Sequence, residues 1–80
     1  MPATTTDVET TVYDALESFG AEADAITRDA VLADIDVDSL DLAELAQIVD
    51  EKFGVVLKGS DIEQIKTVGD AIDLIAARAA

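Results

Sequence analysis

The chain lacks cysteine and histidine altogether, has only Tyr13, Phe19 and Phe53 as aromatics, and sets five Lys and Arg against eighteen Asp and Glu. Each shortage closes a route. Without cysteine there is no disulfide and no thiolate metal site. Without histidine the commonest general base and metal ligand is missing, and Ser–His or Cys–His nucleophilic schemes cannot be assembled. Chemistry is left to carboxylates, hydroxyls, lysines or a group attached later, which argues against an enzyme. A formal net charge of −13 repels nucleic acid and anionic lipid headgroups and favours basic protein partners. No segment approaches the roughly 20 apolar residues that span a bilayer. The opening MPATTTDVET has neither a basic nor an apolar signal region. No membrane insertion and a cytoplasmic location are the expectations.

What is present suits one folded domain. Eighty residues lie near the lower limit for a single unstapled core, and half of them are hydrophobic, which distinguishes the acidity from that of a disordered chain. A single monomeric domain over residues 1–80 is expected, with residues 1–5 disordered. The acids are unevenly spread: Asp29 to Glu51 contains eight and no Lys or Arg.

The periodicity is helical throughout, with no convincing strand pattern. Val8, Val12, Leu16 and Phe19 form a stripe on a first helix from about Asp7 to Phe19, with Thr6 and Glu9 as a capping box and Gly20 as the stop. Residues 20–37 form a long connection, pinned to the core by Ile26, Val31, Leu32 and Ile35 through a short helical turn. A second helix runs from Ser39 to Phe53 before Gly54, with Asp38 as N-cap and Asp41 at its third position. Ser60 and Glu63 read as the capping box of a short third helix through Ile65, and Thr67 with Asp70 as that of a fourth reaching about Ala77, with Val68, Ile72 and Ile75 inward. The fold class is all-α: a four-helix bundle of three longer helices and one short one, with a long crossover between the first two.

At about 100° per residue, Leu42, Leu45, Ala46, Val49 and Phe53 share the core face of the second helix, while Leu40, Ala43, Glu44, Gln47 and Glu51 lie opposite. Leu40 is thus a large apolar side chain aimed outward amid acids. One reading is a single exposed leucine without consequence. The other is a docking face with Leu40 and Ala43 at its centre and Asp38, Asp41, Glu44, Gln47, Asp50 and Glu51 around them, matching a basic, partly apolar partner. Ser39 stands at the helix start, where free N–H groups and the dipole favour an anion. It is either ordinary helix punctuation or a site. Asp34, Asp36 and Asp38 suggest a calcium loop, but the glycine and bidentate glutamate such a loop requires are replaced by Ser39 and Leu45, so no metal site is assigned.

The run Asp38-Ser39-Leu40-Asp41-Leu42-Ala43-Glu44-Leu45 resembles the Asp-Ser-Leu signature of the acyl carrier protein family. The likeness extends over some 70 positions: the first helix from Val8 to Gly20, the crossover from Ile26 to Ile35, the Val49–Gly54 helix end, and Thr67 to Ile75. It implies that Ser39 accepts 4′-phosphopantetheine, derived from coenzyme A, from a separate phosphopantetheinyl transferase. It further implies that acyl groups ride on that arm as thioesters, and that acyltransferases, synthases or ligases with basic patches are the partners. Leu40, Asp41, Glu44 and Glu51 match positions that relatives use for those contacts. Asp36, Gln47, Lys52, Lys58 and Gly59 depart from the family's pattern; Asp36 replaces a glycine common there. Fatty acid, polyketide and related lipid synthesis are all consistent. A peptidyl or aminoacyl carrier and an unmodified acidic interaction module remain the alternatives, the former less favoured because paired glycines do not precede the serine.

Overall fold

In the computed structural model, which describes residues 5–79, four α-helices follow one another: α1 (Thr5–Ser18), α2 (Ser39–Phe53), α3 (Gly59–Gln64) and α4 (Val68–Ala79). Two 3-10 turns, Ala23–Ala25 and Leu32–Ile35, interrupt the crossover between α1 and α2. No strand occurs among the described residues, only an isolated antiparallel bridge between Val31 and Thr67. The expected helical bundle is the observed one.

Its core collects one stripe from each long helix: Val8, Val12 and Leu16 of α1, Leu45 and Val49 of α2, Val68, Ile72 and Ile75 of α4, all essentially inaccessible to water. A buried leucine or isoleucine removes enough apolar surface to contribute roughly 1.5–3 kcal/mol, so these eight positions supply a large part of the stability of so small a domain. Ala46, Phe19 and Phe53, also expected inside, are only half-buried, and the two phenylalanines pack against this cluster.

Helix α1 begins at Thr5, two residues before the expected start, so Thr6 is an exposed residue within the helix rather than its cap. Thr5, expected in a disordered segment, is helical; residues 1–4 lie outside the described part. Gly20 ends the helix as expected, at a φ of 107° that side chains rarely adopt.

The crossover is tied down differently from the apolar pinning expected of it. Ile26 and Leu32 are buried and Ile35 is half-buried, but Val31 is 42% exposed. Backbone hydrogen bonds do the work at Val31. Leu32 N donates to Lys66 O at 3.0 Å, Val68 N to Ala30 O at 3.0 Å, and Gly69 N to Arg28 O at 2.8 Å. This ladder faces Val31 away from the core. It also requires Gly69, where a Cβ would stand 2.9 Å from the Arg28 carbonyl oxygen. Arg28 adds side-chain ties to Glu9 of α1 and Asp73 of α4.

Helix α3 starts after Lys58, whose N–H donates to Asp61 Oδ2 at 2.9 Å. Ser60, expected as the cap, is the second residue of the helix. No residue of α3 is fully buried, so much of its fixation falls to a clamp: Arg78 of α4 reaches both Asp61 oxygens at 2.7 and 2.8 Å, and the Val56 carbonyl at 3.2 Å. Helix α4 opens on the expected Thr67–Asp70 box, with reciprocal bonds of 3.1 Å, and ends at Ala79, two residues beyond the expected end.

Candidate functional site

The turn into α2 carries the candidate site, and its construction is local. Asp38 is the N-cap: its Oδ1 accepts from Asp41 N at 3.0 Å, while Asp41 Oδ2 accepts from Asp38 N at 3.3 Å. The backbone is thereby locked from both sides. Val37 just before the cap and Leu42 four positions after it are both buried, the two positions of a hydrophobic staple. Between these anchors Asp38, Ser39 and Leu40 are exposed, with Asp41 half-buried. Reading the apolar residues of the crossover overlooked Val37; its spacing to Leu42 across the cap was the available signal.

Ser39 is the first residue of α2, at the positive end of a 15-residue helix. Among the described residues nothing hydrogen-bonds its hydroxyl. It lines an open groove of about 370 Å³ between the crossover, α2 and α3. Leu32, Val37, Leu42, Ile62 and Ile65 are among its apolar lining, while Asp38, Glu63 and Lys66 join Ser39 as its polar members.

A second groove, of about 430 Å³, runs along the outer face of α2, where Leu40, Asp41, Ala43, Glu44 and Gln47 come together with Phe19 from the end of α1. Leu40 is 76% exposed. Five of the eight residues assigned to docking from the sequence therefore share one surface. Asp38 lines the Ser39 groove instead, and Asp50 and Glu51 are exposed further along α2, outside both. Phe19, assigned to the core, has a wall of this outer groove as a second role. Nothing local to α2 could reveal that.

The basic residues stay clear of the outer groove. Both arginines are engaged, and each is held further toward its charged form, Arg28 by its bond to Asp73 and Arg78 by its bonds to Asp61. Reciprocally, the Arg78 hydrogen bonds and then the Lys58 N–H hold the Asp61 carboxyl down at about 2. The N–H groups of Thr67 and Lys66 hold Asp70 below the ordinary carboxylate range. Among the described residues no group of three or more carboxylates is placed to hold a metal ion, and no helix is long and apolar enough to cross a membrane.

Across residues 11–75 the sequence matches the family model of the phosphopantetheine attachment site. The chain belongs to this carrier family. The group it receives is 4′-phosphopantetheine, covalently attached, which supplies the thiol that a chain without cysteine lacks. The carrier's own residues fit such a group: an accessible hydroxyl at a helix N-terminus suits a phosphate, and the apolar groove opening at that same residue suits what a long arm would bring. Carriers of this family interact with a transferase and with synthases in general.

Proposed function

We propose that this carrier is an acyl carrier protein, which bears acyl intermediates as thioesters on an arm attached to Ser39 and presents them to enzymes of fatty acid, polyketide or related lipid biosynthesis. The observation that carries the reading is the apolar groove at Ser39, walled by Leu32, Val37, Leu42, Ile62 and Ile65. Such a lining gains from burying an alkyl chain and has little to offer the polar groups of an aminoacyl or peptidyl cargo.

In this reading the Ser39 hydroxyl oxygen accepts the phosphodiester. The carrier contributes position only. Asp38 and Asp41 spend a carboxylate oxygen each on the cap, and there is no histidine, so the proton of the hydroxyl is taken by a group of the transferase. Leu40 and Ala43, with Phe19 beside them, offer an apolar contact, and Asp41, Glu44 and Glu51 steer a basic partner toward it. Steering of this kind raises encounter rates more than affinity, which suits a carrier that must leave each enzyme it visits.

The test compares the melting temperature of the arm-bearing protein with that of octanoyl and aminoacyl forms. A ligand group that enters only the folded groove stabilises it. The octanoyl form should melt several degrees higher and the aminoacyl form should not. Equal melting of all three would remove the groove as a cargo site and with it the preference for acyl over peptidyl chains.

A further inference from the structure

We propose that Lys66 binds the phosphodiester of the arm, so that the arm leaves Ser39 along the groove between α2 and α3 rather than straight into solvent. This rests on Ser39 being the attachment residue. A phosphodiester carries a full negative charge wherever the protein is folded, and at Ser39 it would join a groove already holding Asp38 and Glu63. A cation facing it has an evident use, and the carrier has five to choose from.

Four are out of reach. Arg28 is committed to Glu9 and Asp73, and Arg78 to Asp61 and the Val56 carbonyl. Lys52 lies in the last turn of α2, roughly 20 Å from Ser39 at 1.5 Å per residue. Lys58 precedes α3 and lies outside the groove. Lys66 alone lines the groove together with Ser39. Its backbone is fixed: its carbonyl accepts from Leu32 N at 3.0 Å and its N–H donates to Asp70 Oδ2 at 3.2 Å. Its ammonium is in no ion pair among the described residues. Lys66 is exposed, so the interaction has the strength of a surface pair. It biases the direction of the arm without immobilising it, and salt weakens it.

Phosphorus NMR of the arm-bearing protein tests this. The phosphodiester does not itself titrate between pH 6 and 11, so a resonance that moves as the solution is made alkaline reports a neighbouring group that loses its charge. The shift is expected in the wild type, lost in Lys66→Gln and kept in Lys52→Gln and Lys58→Gln. A wild-type resonance that stays still, or a shift that persists in Lys66→Gln, overturns the proposal. If circular dichroism shows unfolding above pH 10, relaxation of the arm's own ¹⁵N-labelled amides at pH 7 decides instead. They should move faster in Lys66→Gln than in wild type, and equal mobility overturns the proposal. Absence of the arm's mass on the protein would be a failure of the Ser39 assignment, visible before any spectrum is recorded.

Discussion

Asp36 sits at a φ of 61° at the end of the second 3-10 turn, two residues before the cap of α2. This is the left-handed region, which costs an L-residue about 1–2 kcal/mol, and which Asp tolerates better than most. Glycine adopts this region without that cost. A branched side chain should be penalised: Asp36→Val is expected to lose about 1–2 kcal/mol in urea unfolding, whereas Asp36→Gly should match or exceed the wild type. Valine tolerated as well as aspartate would mean that the turn relaxes, and that the Ser39 loop is less fixed than its geometry implies. Single residues also mark what sequence could not reveal. Leu40 was legible as outward-facing because a helical wheel needs only its neighbours. Val31 was misread because its orientation is set by backbone bonds to Lys66 and Val68, more than thirty positions away.

At the scale of elements, α2 and α4 were legible almost to the residue, since Asp38 with Asp41 and Thr67 with Asp70 close their caps within four positions. Helix α3 was not. Ser60 and Glu63 have the spacing of a capping box, but Asp61 is drawn back to the Lys58 N–H while Arg78 holds its carboxylate from the far end of the chain. The Ser39 groove was illegible for the same reason, being assembled from the crossover, α2 and α3. The clamp carries a pH signature. Because the folded Asp61 carboxyl titrates at about 2, below its ordinary 3.8, its contribution to stability is complete above about pH 4 and disappears as pH falls toward 2. Arg78→Gln should therefore melt below the wild type at pH 7, with the gap closing on acidification through that window. A gap independent of pH would show that Arg78 acts through packing of its stem and not through the ion pair.

The whole molecule carries thirteen excess negative charges, and the ion pairs among the described residues engage Glu9, Asp61 and Asp73. Repulsion among the remaining acids acts at longer range than these few attractions, and at 0.1 M salt it is screened beyond about 10 Å. Raising NaCl from 10 mM to 0.5 M is therefore expected to raise the melting temperature of the unmodified protein, although the same salt weakens the arginine pairs. A flat or falling curve would place the balance with the pairs. In the proposed function the negative field and the exposed turn into α2 belong together: one draws basic partners in, and the other offers them a hydroxyl. The most direct test of that offer is the intact mass of wild type and Ser39→Ala after incubation with coenzyme A and a phosphopantetheinyl transferase. The account predicts that the wild type gains one phosphopantetheine and Ser39→Ala gains none; an unchanged wild type, or an equal gain on both, would contradict it.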